Sequence, residues 1–168
     1  MTAVQASFRT KVFIASFAAA AVALTVVAIL FSWQVSQRQR ASISERISEE
    51  ARLIADLISA TSLDESALDA EADRLGRLSA SRVTLIADDG RVVGDSTQTP
   101  EQLRTLDNHG SRQEVAEARS SGIGTVQRFS DTIGTDMFYV AARANHPVVR
   151  VVRLAVPLTE VDAQLRTI

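Results

Sequence analysis

Residues 12–33, VFIASFAAAAVALTVVAILFSW, contain no charged residue, no glycine and no proline, and no other feature constrains the chain as strongly. At 1.5 Å per residue such a run reaches roughly 33 Å as a helix, enough to cross the hydrocarbon core of a bilayer. In lipid only intrahelical bonds satisfy the backbone amides, so a transmembrane helix is predicted, with Trp33 at the interface. A cleaved signal peptide is the rival reading. Its apolar region is usually about 7 to 15 residues and ends at a small-x-small site, whereas this run is longer and no convincing site follows it. Arg9 and Lys11 on one side face Arg38, Arg40 and Arg46 on the other, so charge alone does not set the orientation. The expectation is a cytoplasmic tail over 1–11, a single span over 12–33, and everything later outside the membrane.

The 168 residues leave room beyond the anchor for one domain of common size. A formal charge of -2 provides no basic stripe for phosphate backbones, so nucleic acid is not an expected partner. The chain has no cysteine, which excludes disulfides, thiolate metal sites and a cysteine nucleophile.

Residues 34–61 lack glycine and proline, and Ile43, Ile47, Ala51, Ile54 and Ile58 recur at helical spacing. A juxtamembrane helix is predicted. Read as heptads, Ile43, Ile47, Ile54 and Leu57 form a seam interrupted by Glu50, so a helix laid on its own sheet and a dimer-forming helix remain alternatives. Asp64 or Ser62 caps a second helix to about Ser79, with Leu68, Ala72, Leu75 and Leu78 inward.

The period then changes. Short apolar runs at 83–87 and 91–93 flank Asp88-Asp89-Gly90, a strong hairpin signal because glycine supplies the positive φ of the turn. A polar segment over 96–110 contains one helical turn near 101–106, and another helix is expected at 114–119. Strands are predicted at 125–130, 136–143 and 149–156, joined by linkers of hairpin length. The fold class is therefore α+β: an N-terminal transmembrane helix continuing into a long helix packed on a five-stranded antiparallel sheet, one face of which is free for a pocket. The globular region spans 62–158, and 159–168 reads as the start of an exit helix capped by Thr159.

The run Val83-Thr84-Leu85-Ile86 leads into Asp88-Asp89-Gly90-Arg91-Val92 and Asp95-Ser96. Asn108-His109 follows with Arg112 and Glu114, then Met137, Tyr139, Val140 and Ala141, and finally Val152-Arg153-Leu154-Ala155-Val156-Pro157-Leu158. In this order, after one anchor, the sequence resembles the extracytoplasmic Cache, or PAS-like, region of phosphate-regulon-type (PhoR-type) sensor histidine kinases over about residues 40–162. The resemblance implies the input module of a dimeric receptor in a bacterial inner membrane, placed between two spans and followed by a kinase. No nucleotide-binding loop or phosphoacceptor histidine box is found here, so this chain is not expected to be an enzyme, nor to need a cofactor.

Asn108, His109 and Arg112 together suit an anionic or hydrogen-bonding ligand, against the plainer role of stabilising their loop. Arg128, Tyr139, Arg143, Arg150 and Arg153 are spaced to share a sheet face, either as a basic pocket or as solvated surface. The candidate ligand residues are thus Asn108, His109, Arg112, Arg128, Tyr139 and Arg143. Ile43, Ile47, Ile54, Leu57 and Ile58 are the candidates for transmitting a signal along the helix. Asp88, Asp89 and Asp95 lack the spacing of a calcium loop and read as turn residues, and no metal is expected. Expected partners are the bilayer, a second copy of the chain, and a small anionic ligand or regulatory protein. Other outputs, a chemoreceptor or a cyclic-dinucleotide enzyme, are alternatives to the kinase, as is a stand-alone membrane-anchored binding or scaffold protein.

Overall fold

A computed structural model describes residues 8–130 and 134–158, and the expected exit helix and part of the 131–135 linker lie outside the described residues. The chain divides into two units, Met1–Ser42 and Ile43–Ile168. The described residues of the first form the N-terminal part of helix α1, Phe8–Ser59. Within it Ser16–Gln34 has a mean hydropathy of 2.1 and none of its surface is covered, so by length and composition it is a candidate membrane span.

The second unit begins with the rest of α1. Its apolar face is set by helical spacing: Ile47, Ala51, Ile54, Ala55 and Ile58 are buried, while Leu53 and Leu57 on another face stay exposed. Helix α2, Glu65–Ser79, is capped by the Asp64 carboxylate accepting from Ala67 N at 3.2 Å. Leu68, Ala72 and Leu75 are buried as expected, but Leu78 is 72% exposed. It sits about 80° around the helix from Leu68, off the inner face, by the 3.6-residue period.

Strands β1 (Arg82–Ala87) and β2 (Val92–Asp95) form the predicted hairpin, with Gly90 at φ 85° in its turn. Two short helices follow, α3 (Pro100–Leu103) and α4 (Gln113–Ser121), and then β3 (Ile123–Ser130), β4 (Thr135–Arg143) and β5 (Val149–Pro157). The sheet order is β2-β1-β5-β4-β3, and every neighbouring pair is antiparallel. The α+β expectation holds in class, strand number and chain order.

Alternation along the strands gives the sheet two unlike faces. The back is apolar: Val83, Leu85, Val140, Val152 and Leu154 join Ile47, Ile54 and Ile58 of α1 and Leu68, Ala72 and Leu75 of α2 in one buried cluster. The helix laid on its own sheet is thus the arrangement present, and Asn145 N donates to Ser59 Oγ at 2.8 Å to fix the C-terminal end of α1. The front is where the polar residues gather.

Candidate functional site

The register places Arg82 and Thr84 of β1, Arg153 and Ala155 of β5, Met137, Tyr139 and Ala141 of β4, and Arg128 of β3 on the front face. Helix α4 covers one end of that face. Val115 and Ala118 pack there with Ile86, Ala141 and Val151. Its start lies so close to β3 that a Cβ on Gly124 would collide with the carbonyl of Glu114, and glycine is the residue that permits the approach. This close packing delivers Glu114, fully buried, to the middle of the front face.

Two arginines meet it. Arg153 Nε donates to Glu114 Oε1 at 2.8 Å, and Arg128 Nη2 to the same oxygen at 3.3 Å. The guanidinium carbons of Arg128 and Arg153 each lie 4.3 Å from the centroid of the Tyr139 ring, adding cation–π attraction to the ion pairs. Burial pulls the pKa of Arg153 below its usual value, opposed by the Glu114 carboxylate. A second buried carboxylate lies nearby: Asp95 accepts from Arg82 Nε at 3.0 Å, from Thr84 Oγ1 at 2.7 Å, and from Thr97 N and Oγ1 at 3.0 and 2.8 Å. Asp95 therefore closes β2 as a buried hub, whereas Asp88 and Asp89 are exposed turn residues.

Uncovered by α4, the rest of the front face floors a cavity of about 500 Å³ lined by Arg82, His109, Arg112, Arg128, Tyr139 and Arg153, among others. The loop that brings His109 there is pinned to the hairpin turn: His109 N donates to Gly90 O at 2.9 Å, and Asn108 Nδ2 to Asp89 O at 2.8 Å. His109 is 6% exposed and, among the described residues, its Nδ1 has no hydrogen-bond partner. Burial, then the charges of Arg153, Arg112 and Arg82, push its pKa down to about 4, with Asp95 acting in the opposite direction. The imidazole is neutral at pH 7.

Four of the six candidate ligand residues therefore converge: His109, Arg112, Arg128 and Tyr139. Asn108 is exposed and holds the loop, accepting from Gly110 N as well as donating to Asp89. Arg143 is exposed beside a different cavity, near Asp56 and Arg150. Arg82 was not among the candidates, although its two-residue spacing from Thr84 was legible. Of the helix candidates, Ile47, Ile54 and Ile58 are buried, Leu57 is 47% exposed, and the Ile43 side chain lies outside the described residues. Among the described residues no group of three or more His, Asp or Glu side chains is placed to hold a metal ion.

A helix-backed, five-stranded antiparallel sheet is a fold shared with known proteins. Residues 38–145 match the Single Cache-like family. The chain belongs to that family. It is a Cache-like extracytoplasmic sensor domain. A comparison with curated proteins gives no match. Among solved structures, the fold is similar to the ligand-binding domain of the Campylobacter jejuni chemoreceptor Tlp3 in complex with 4-methylisoleucine. That pair has a TM-score of 0.62 and 12% identity, covering 77% of this chain and 57% of that one. The E. coli DcuS sensor domain gives 0.56 at 14% identity, with 77% and 98% covered. The sensor domain of the V. cholerae histidine kinase DctB gives 0.50 at 16% identity, with 77% and 52% covered. The Cache-like chain thus spans little more than half the length of the Tlp3 domain, and these likenesses concern the fold alone.

Proposed function

We propose that this Cache-like domain is the input module of a PhoR-type sensor histidine kinase in a bacterial inner membrane. In this reading it acts as a homodimer, binds a small anionic ligand in the cavity over Tyr139, and passes the signal to α1. The carrying observation is that single strands serve both faces. On β5, Arg153 reaches the cavity while its neighbours Val152 and Leu154 lie in the cluster that holds Ile47, Ile54 and Ile58. A ligand that draws on Arg153 or Arg128 changes the strand that α1 rests on. Packed elements of this kind respond by exchanging discrete arrangements, with helix shifts of about 1 to 2 Å. Inserting one residue near Ser42 in the complete receptor should reset its output, because the insertion rotates the helix by about 100°. Unchanged output would remove α1 from the pathway.

The likeness to Tlp3 supports a second reading, in which the same module feeds a chemoreceptor instead of a kinase. The binding site and α1 would work identically, and the sequence of the domain after the next span separates the two.

A further inference from the structure

We propose that the free edge of β3 docks an extended segment of a partner protein, which adds a strand to the five-stranded sheet and sets an acidic side chain beside Arg128. This goes beyond the reading of the cavity as a ligand site and stands on other atoms, the backbone of residues 125–129.

The pairing of β3 with β4 decides which backbone groups point outward. Gly122 O accepts from Arg143 N at 2.9 Å, and from Ile123 to Ser130 the two strands then pair without a register shift. Even-numbered residues of β3 therefore bond to β4, and the N–H and C=O groups of Ile123, Thr125, Gln127 and Phe129 face away from the sheet. Near α4 this edge is closed: Ser121 Oγ donates to Ile123 O at 2.8 Å, and Thr125 N donates to Glu117 Oε2 at 3.3 Å. Beyond that point the closure stops. Among the described residues, Thr125 O, Gln127 N and O, and Phe129 N and O have no hydrogen-bond partner.

The other edge of the sheet differs. Strand β2 is four residues long, and its outward Asp95 N donates to Asp69 Oδ1 of α2 at 3.1 Å. Strand β3 runs for eight residues with no proline, no lysine and no bulge, the usual protections of an edge. Alternating donors and acceptors of this kind are completed by another extended backbone.

Side chains along the edge say what that backbone carries. Glu114 takes one N–H from each of Nη1 and Nη2 of Arg128, at 3.5 and 3.3 Å, so three of the five guanidinium donors remain, on a side chain that is 31% exposed. The neighbouring Phe129 is 57% exposed. A strand that alternates acidic with apolar residues meets both, because cross-strand neighbours lie side by side. A second copy of the chain fits poorly. Antiparallel self-pairing about Gln127 sets each Phe129 O against a Thr125 N that Glu117 already holds, and it brings the two Arg128 side chains diagonally together.

The test titrates the full chain in nanodiscs with a capped peptide of alternating valine and glutamate, and with its valine–lysine counterpart. The glutamate peptide should bind about ten-fold more tightly or better. On saturation the Gln127 and Phe129 amides should exchange with solvent more slowly. Gln127→Pro removes an outward N–H that the ladder to β4 does not use, so it should abolish binding with an unchanged circular dichroism spectrum. Equal binding of the two peptides, no binding of either up to millimolar concentration, or no slowing at those two amides of the parent chain would overturn the proposal. So would a parent dimer, seen by sedimentation, that Gln127→Pro splits, since the edge would then belong to a second copy.

Discussion

The two faces of the sheet are built from the same strands and solve burial in different ways. The back is closed by isoleucine, leucine and valine against α1 and α2, and its stability grows with apolar area at about 25 cal/mol per Å². The front buries Glu114, Arg153 and Asp95, groups whose desolvation must be offset by partners within hydrogen-bond reach. An apolar face requires close-packed shape, whereas a face of paired charges also requires each charge to keep its partner.

The largest expected effect strikes the front. Glu114→Ala leaves Arg153 buried without its carboxylate and should destabilise the domain by about 3–5 kcal/mol in urea denaturation. Replacing the pair together, Glu114→Leu with Arg153→Met, should recover much of that loss, since an apolar pair needs no partners. If the single and double variants were equally unstable, the front would be held by shape and not by charge.

On the back, Ile58→Ala should cost about 3 kcal/mol through the cavity it opens, while Leu57→Ala, one residue along, should stay within about 0.5 kcal/mol because Leu57 is half exposed. Equal losses at both positions would mean that α1 does not lie on the sheet by its isoleucine face. Measured by sedimentation, Leu57→Ala also asks whether the exposed stripe joins two copies of the chain.

The smallest effect depends on pH. His109 has its pKa lowered to about 4 in the folded chain, while the unfolded chain binds its proton at the ordinary value near 6.5. Stability from this group is therefore complete above about 6.5 and is lost as pH falls toward 4, about 2 kcal/mol of it between pH 6.5 and 4.5. Denaturation midpoints of His109→Gln should fall less steeply than those of the parent between pH 6.5 and 4.5. Parallel curves would show that His109 is not held neutral by its surroundings.

Much of the back face was legible in the sequence, because helical and strand periods each report one buried face. Ile47, Ile54 and Ile58 could be read this way, as could the Gly90 turn, whose positive φ leaves few alternatives. Leu78 misled because one apolar residue at the end of a helix matches a loose period without sharing its face. The front face was legible only in part. Arginine alternation pointed to Arg128 and Arg153, but nothing local announces that Glu114 is buried, since its environment is made by Gly124 ten residues later and by strands from three parts of the chain. Asn108 and His109 adjoin in sequence and part in role, one bound to the hairpin turn and the other lining the cavity. Their separation is a tertiary fact.

The coupling of the two faces is tested most directly by amide hydrogen exchange of the full chain with and without the small anion that binds it most tightly. Protection should change in the loop carrying His109 and also in α1 between Ala51 and Ile58, on the opposite side of the sheet. A change confined to the loop and β3–β5, with α1 exchanging as before, would contradict the account.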